Sequence, residues 1–243
     1  MYLSRLTRFL PAALLIGGWA GPALGSPILP GFDLLHTPDN TAFVQIPNIG
    51  NVMLRSVPIP GLGNTDTIVK RNAGITTFPD TIDIELVALS LTSVNPIQMG
   101  NSFFDVFVTI NSLGLPGIHP LSTNLPASRG QMTVNHNQPN GGTFDSFFDI
   151  FVELSLEAVG NPTNRIVFTD NVLITGTGAS WTHTAPQGYP IDPRFPSGGF
   201  YPGTITHTGP HPTVVPATVP EPTEWLFLGS ALGLLAAGRR RKG

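Results

Sequence analysis

Hydrophobic and polar residues alternate along much of the chain, most clearly between Thr81 and Val94. This run is apolar on one face at its start and apolar on both faces toward its end. Such a change predicts a long strand whose second half enters the middle of a β-sandwich. The many β-branched residues, and the Asn95-Pro96 pair that follows, favour a strand over a helix.

Shorter alternating segments lie between turn signals that are rich in Gly, Pro and Asn. These segments predict further strands at Ala42–Ile46, Val52–Ile59, Thr65–Lys70, Gly130–Asn135, Arg165–Thr169 and Val172–Thr175. Many short strands at hairpin spacing, with no convincing helix between Ser26 and Val219, indicate an all-β protein. We expect an antiparallel β-sandwich or jelly-roll-like domain over residues 26–185.

The chain contains one internal repeat. Residues 102–108 (SFFDVFV) match residues 146–152 (SFFDIFV) at an offset of 44. Two copies are too few for a solenoid or a propeller, because those folds stack several units into one core. The repeat therefore predicts two similar strands that either pair with each other or lie on facing sheets.

Each copy of the repeat places an aspartate, Asp105 or Asp149, between two phenylalanines on one face of its strand. A carboxylate in that setting is partly desolvated and needs a hydrogen-bond donor or a cation. A structural role is the favoured interpretation, because buried polar groups are normally hydrogen-bonded. The alternatives are a ligand or Ca²⁺ site and a carboxylate pair for glycoside hydrolysis, which requires a separation of roughly 5 to 9.5 Å.

Composition narrows the class of protein. Gly 27 and Pro 25 among 243 residues, with only 11% charged residues, disfavour a helical bundle. A hydrophobic content of 41% disfavours ordinary disorder. The absence of cysteine excludes disulfides, thiolate metal sites and cysteine nucleophiles.

No catalytic or metal-binding motif stands out in the sequence. The chain lacks a GxSxG elbow and a Gly-rich phosphate loop that opens a helix. Its histidines do not show metal-ligand spacing; they are His36, His119, His136, His183, His207 and His211. Trp181 and Tyr189 could stack on a sugar, but we favour packing, with Trp181 closing one end of the domain. We therefore expect a non-enzymatic protein without a metal or cofactor.

Prolines are concentrated after the predicted domain. Ten of them occur within the 37 residues from Pro186 to Pro222. Such a segment resists helix and sheet and tends to be extended. We expect a Pro/Thr/Gly-rich stalk over residues 186–218, whose early aromatic residues could pack along the domain surface.

The first 25 residues have the pattern of a secretory signal. Arg5 and Arg8 precede a mostly apolar stretch at residues 9–19. Ala23-Leu24-Gly25 then gives a small-x-small cleavage site before Ser26. This pattern predicts export machinery and a signal peptidase as partners.

The other end combines a short motif, an apolar run and a basic cluster. Val219-Pro220-Glu221-Pro222-Thr223 precedes the run Trp225–Gly238, which is followed by Arg239-Arg240-Arg241-Lys242. As a helix, the run would reach roughly 21 Å, short of the ~30 Å hydrocarbon core. The basic cluster should stop transfer and remain in the cytoplasm. We therefore expect this tail to hold the chain in the membrane during export but to be a weak permanent anchor.

The order of these features resembles the PEP-CTERM sorting signal of Gram-negative bacteria. The resemblance covers about 25 residues of the tail and implies recognition by an exosortase-type membrane protease. It also implies removal of the tail near Pro-Glu-Pro, and then release or surface attachment beside exopolysaccharide. A plain C-terminal anchor is the alternative interpretation.

Removal of both ends would change the charge. Residues 26–219 contain 6 basic and 13 acidic residues, which gives a net charge of −7. An acidic chain without a basic stripe is a poor nucleic-acid binder. We expect an exported, non-enzymatic protein of the cell surface or extracellular matrix, associated with exopolysaccharide or biofilm. The alternative is a polysaccharide-acting enzyme or a carbohydrate-binding module that uses Asp105 and Asp149.

Overall fold

A computed structural model describes residues 26–38, 41–46, 48–203 and 207–208. Its strands are β1 (Gly31–Leu35), β2 (Ala42–Ile46), β3 (Gly50–Ser56), β4 (Thr67–Arg71), β5 (Asp80–Ser93), β6 (Ile97–Met99), β7 (Ser102–Thr109), β8 (Ser128–Gln138), β9 (Gly141–Ala158), β10 (Asn161–Thr182), β11 (Tyr201–Pro202) and β12 (His207–Thr208). The described residues contain no helix, so the all-β prediction is confirmed for them. Among them, no helical segment has the length and hydrophobicity to span a bilayer. The predicted signal peptide and sorting tail lie outside these residues.

The strands pair antiparallel in one continuous sheet whose longest strands are shared by two halves. In the first half, β1, β4, β5, β8, β9 and β10 follow one another, and β11 and β12 both pair with β10. In the second half, β2, β3, β5, β7, β9 and β10 follow one another, and β6 pairs with β7. The N-terminal part of β5 lies between β4 and β8, whereas its C-terminal part lies between β3 and β7.

β5 confirms the strand predicted at residues 81–94 to within one residue at each end. Ile82 and Ile84 are buried while Asp83 between them is exposed, which confirms the alternation at the start. From Leu86 to Ser93 every side chain is buried except that of Leu89, which is half-buried. The strand is thus covered on both faces where its sequence is apolar on both faces.

The other predicted strands agree less evenly with the structure. The prediction for β2 matches the observed bounds, whereas β3 ends at Ser56, three residues before the predicted end. The two segments predicted at residues 165–169 and 172–175 are parts of the single strand β10. Asp170 and Asn171 interrupt the apolar pattern, yet they pair with Val152 and Phe151 of β9 without a turn.

The repeat lies on neighbouring strands but does not pair with itself. β7 carries the first copy and β9 carries the second. In the register of this pair, Phe104 lies opposite Ala158, and Thr109 lies opposite Glu153. The first copy therefore pairs with the part of β9 that follows the second copy.

The main hydrophobic core draws residues from both halves of the sheet. β9 contributes the fully buried Leu154 and Leu156, and β7 contributes Val106. A smaller cluster lies on the other side of β4 and contains Ile68, Ile59 and Leu62. Within the described residues, the sheet thus buries its apolar rows without help from a helix, as expected for antiparallel architectures.

Residues 186–203, predicted as the start of a stalk, pack against the sheet. Phe200 is fully buried, and Phe195 is 6% exposed. Backbone hydrogen bonds join Leu29 N to Gly198 O at 2.8 Å and Phe32 N to Pro196 O at 2.9 Å. The packed body therefore continues to Gly203, beyond the boundary placed at residue 185, because the aromatic residues of this segment have an apolar surface to cover.

A buried arginine fastens this segment, here called the C-terminal wrap (residues 186–203), to the first strand. Arg71 Nε donates to Asp33 Oδ1 at 3.0 Å, and Nη1 donates to Leu29 O at 2.7 Å. Nη2 donates to the carbonyl of Ser197, and the guanidinium lies 4.9 Å from the ring centre of Phe200. Burial raises the pKa of Asp33 to about 6, against the opposing effect of Arg71.

Candidate functional site

The outward face of the first half carries a row of alternating charges across neighbouring strands. In register, Lys70 lies opposite Glu85, Glu85 opposite Arg129, and Arg129 opposite Asp149. Leu173 of β10 continues the row on the far side of Asp149. Directly opposed charges of opposite sign stabilise a sheet modestly, by roughly 0.2–1 kcal/mol per pair. We call this row, together with the neighbouring Asp83, Gln131, Phe147 and Asn171, the outward face.

Asp149 is satisfied within the outward face. Asn171 Nδ2 donates a hydrogen bond of 2.6 Å to Asp149 Oδ1, and Arg129 lies across the strand pair. Along β9 the aspartate lies between Phe147, which is exposed, and Phe151, which is half-buried. The alternation predicted for the repeat is thus present, and the carboxylate has the donor that a structural role requires.

The remaining outward face combines hydrogen-bonding groups with two exposed apolar side chains. Gln131 Nε2 donates to Asp83 Oδ1 at 3.2 Å. Phe147 is 41% exposed and Leu173 is 53% exposed. Because amide, carboxylate and guanidinium groups surround these apolar side chains, the face can contact both the hydroxyl groups and the apolar ring faces of a sugar.

Asp105 lies far from Asp149, in the second half of the sheet. It is paired with Glu157, which is eight positions from Asp149 along β9. Eight residues of extended strand span about 27 Å. The structure therefore does not bring the two aspartates into one site, and the spacing of a glycosidase carboxylate pair is not met. Among the described residues, no three or more His, Cys, Asp or Glu side chains are grouped as metal ligands.

The sequence reasoning missed a buried carboxylate, Glu153, which follows the repeat on β9. Its side chain is 0% exposed and accepts hydrogen bonds from the backbone and hydroxyl groups of Ser122 and Thr123, at 2.7 to 3.0 Å. Burial alone would raise the pKa of Glu153, but these hydrogen bonds outweigh burial and lower it. Glu153 thus fixes the segment between β7 and β8 onto the sheet.

A second glutamate of β9, Glu157, lies opposite Asp105. We call Glu153 and Glu157 the glutamate cluster. His119 Nε2 lies 2.8 Å from Glu157 Oε1, and the ring of His119 stacks on Phe107 at 4.4 Å between centres. Arg165 lies 3.7 Å from both Glu153 and Glu157. The alternation that places Asp149 on the outward side of β9 also places these two glutamates there, and this signal could have identified them.

The buried Glu153 does not have the access that hydrolysis requires. The hydrogen bonds that Ser122 and Thr123 of the β7–β8 segment donate, together with the nearby Arg165, cover Glu153, and its side chain has no exposed surface. A general acid or base must reach a proton on the substrate directly or through one water molecule. The cluster is therefore suited to fastening a loop.

Trp181 packs inside the protein, which confirms the prediction that it serves packing and does not stack on a sugar. It is 2% exposed, its ring stacks on Phe200 at 5.0 Å between centres, and its Nε1 donates to Asn135 O at 3.1 Å. The hydroxyl of Tyr189 accepts a hydrogen bond from Leu34 N at 3.0 Å. Neither aromatic residue forms a free sugar platform.

Comparison of the chain with family models, with curated proteins and with solved structures finds no match.

Proposed function

We propose that this chain is an exported, non-enzymatic protein of the cell surface or extracellular matrix, sorted by a PEP-CTERM-like tail. The observation that carries the proposal is the order of Pro220-Glu221-Pro222, an apolar run and a basic cluster, in a chain that begins with a signal-like segment. Its partners would be export machinery, signal peptidase and an exosortase-type protease. The protein would be held transiently in the inner membrane before reaching the surface or the exopolysaccharide matrix.

The fold that fits this proposal is a β-sandwich or jelly-roll-like domain. The long strands β5, β9 and β10 take part in both halves of the sheet, and both halves bury residues in the same core. In orthogonally packed sandwiches, strands pass from one sheet to the other through bends or bulges. β10 has such an irregularity between Gly176 and Ala179. The architecture supports a stable extracellular module without cysteine.

Fractionation of the producing bacterium tests the sorting proposal. We expect the chain outside the cytoplasm and shortened at both ends. Deletion of residues 220–243 should send it to the periplasm or medium without C-terminal processing, because the stop cluster and motif are lost. The matched control is Pro216→Ala, which changes a proline outside the motif and should leave processing intact. Full-length protein found only in the cytoplasm would refute the proposal.

Carbohydrate binding through the outward face is the second candidate function. The exposed Phe147 and Leu173, surrounded by Arg129, Asp149 and Asn171, favour it. Apolar contacts to sugar rings and hydrogen bonds to their hydroxyl groups would both be available. An extended polymer would suit a flat sheet face better than a single sugar would.

Affinity electrophoresis in gels that contain the bacterium's own exopolysaccharide tests this candidate. We expect the double variant Phe147→Ala/Leu173→Ala to bind at least five-fold more weakly, because it loses apolar contacts worth roughly 1 kcal/mol. Phe103→Ala is the matched control, since Phe103 is 54% exposed but lies on β7 in the second half of the sheet. Equal retardation of the double variant and the parent chain would exclude the outward face as the binding surface.

A further inference from the structure

Two histidines that are 47 positions apart in the sequence lie side by side in the structure. His136 lies near the end of β8, and His183 directly follows β10. Their ring centres are 5.3 Å apart and their planes are inclined by 42°. The fold therefore makes a histidine pair that the sequence spacing does not reveal.

A β-bulge places His136 in this pair. Asn135 pairs with Thr143 and Gln138 pairs with Gly141, so that two residues of β8 oppose Gly142 alone. A bulge bends its strand and can redirect a side chain. A Cβ atom on Gly142 would lie 2.0 Å from the carbonyl oxygen of Asn135, so the bulge needs glycine opposite it.

The hydrogen bond of His183 determines which nitrogen carries its proton. Nδ1 of His183 lies 3.0 Å from the carbonyl oxygen of Gly199. A carbonyl oxygen can only accept, so Nδ1 is the donor, and Nε2 of the neutral ring keeps its lone pair. Metal-binding histidines commonly donate the other ring N–H to a carbonyl in this way, which fixes the tautomer and the ring orientation.

Both histidines keep an unsatisfied nitrogen inside the protein. In the part of the chain that the structure describes, Nε2 of His136 and Nε2 of His183 are buried and lack a hydrogen-bond partner. The indole of Trp181 contacts both rings, at 4.8 Å from His183 and 5.6 Å from His136 between centres, and Phe78 lies 5.1 Å from His136. Buried polar groups normally have a partner, so two such nitrogens in adjacent rings indicate a shared one.

We propose that His136 and His183 bind one divalent transition-metal ion, Zn²⁺ or Cu²⁺, through their Nε2 atoms. Imidazole is a favoured ligand of both ions. Two imidazoles that bind one tetrahedral ion at 2.0–2.1 Å have ring centres about 5 Å apart, close to the observed separation. Water would complete the coordination. The ion would link the β8–β9 hairpin to the C-terminal wrap through the His183–Gly199 contact.

Calorimetric titration of the full-length chain, without a histidine tag and after chelator treatment, tests the proposal with ZnCl₂ and CuCl₂. We expect one ion per chain, and at least a tenfold loss of affinity in His136→Gln and in His183→Gln, since even the loss of a supporting contact to a ligand costs 10–100-fold. His36→Gln is the matched control because His36 lies outside the pair, and it should bind like the parent. The double variant His207→Gln/His211→Gln controls for the residues beyond the wrap.

Three outcomes would overturn the proposal. They are no binding by the parent chain, unchanged binding in both single variants of the pair, and loss of binding in the His207→Gln/His211→Gln double variant while the pair variants still bind. If a glutamine variant does not fold, as judged by circular dichroism, electron paramagnetic resonance of the Cu²⁺-loaded parent decides. Coupling to two imidazole nitrogens supports the site, and a spectrum without imidazole coupling refutes it.

Discussion

The buried carboxylate of Asp33 should make the stability of this protein depend on pH in an unusual direction. Burial raises the pKa of Asp33 from 3.8 to about 6 in the folded chain. Between these two values the folded state holds more protons than the unfolded state, so the free energy of unfolding falls as pH rises. A shift of roughly 2 pKa units corresponds to about 3 kcal/mol. The stabilisation is complete below about pH 4 and is lost above about pH 6.

The variant Asp33→Asn isolates this effect. The amide keeps an oxygen that can accept from Arg71 Nε, but it does not titrate. Urea unfolding followed by circular dichroism between pH 4 and pH 7.5 gives the free energy of unfolding of both chains. The parent value minus the variant value should fall by about 2.5 kcal/mol over this range, because every other titrating group cancels in the difference.

Asp192→Asn is the matched control for the Asp33 experiment. Asp192 is half-buried on the C-terminal wrap, and its hydrogen bonds and ion pair with Arg194 lower its pKa. Its difference profile should therefore show no fall with rising pH, and any small change should have the opposite sign. A flat or rising profile for Asp33→Asn would refute our account of the buried pair.

Three further substitutions test individual contacts of the sheet. Glu153→Gln should lower the free energy of unfolding by about 2–3 kcal/mol, because the charged acceptor of Ser122 and Thr123 is lost. It should also speed proteolysis between β7 and β8. Unchanged cleavage would contradict the role of Glu153 in fastening this segment. Gly142→Ala should cost more than 3 kcal/mol in urea unfolding because of the clash at the bulge. The control Gly160→Ala, which has only a positive φ of 81°, should cost about 1–2 kcal/mol, and equal costs would argue against the clash. Asp149→Asn should change stability by no more than about 0.5 kcal/mol, as an exposed cross-strand pair predicts, and a loss of several kcal/mol would show a deeper role.

The local pattern of hydrophobic and polar residues was sufficient to predict the all-β class and the central strand β5. The change from one-sided to two-sided hydrophobicity in β5 reports directly on covering by neighbours, so it can be read without tertiary information. The same logic failed in β10, where Asp170-Asn171 resembles a turn. Pairing with Phe151 and Val152 of β9 keeps this segment extended, because the ladder supplies hydrogen bonds that local propensity does not anticipate.

The candidate sites depend on register, which the sequence does not specify over long separations. Asp105 and Asp149 have the same local context, yet β7 pairs beyond the second copy and separates them. Conversely, His136 and His183 have no common motif, and the β8 bulge brings them together. The alternation along β9 did contain the signal for Glu153, but its burial depends on a loop that contributes Ser122 and Thr123.

The link between the first strand and the C-terminal wrap also sets when the chain can finish folding. Arg71 and Ser197 are 126 positions apart, and Leu34 and Tyr189 are 155 positions apart. When the chain emerges with its N-terminus first, the partners of β1 and Arg71 arrive only after nearly the whole body has appeared. Closing such distant contacts is slow. A protein threaded through a membrane, as we propose for this one, would therefore form these contacts only after its last strands have crossed.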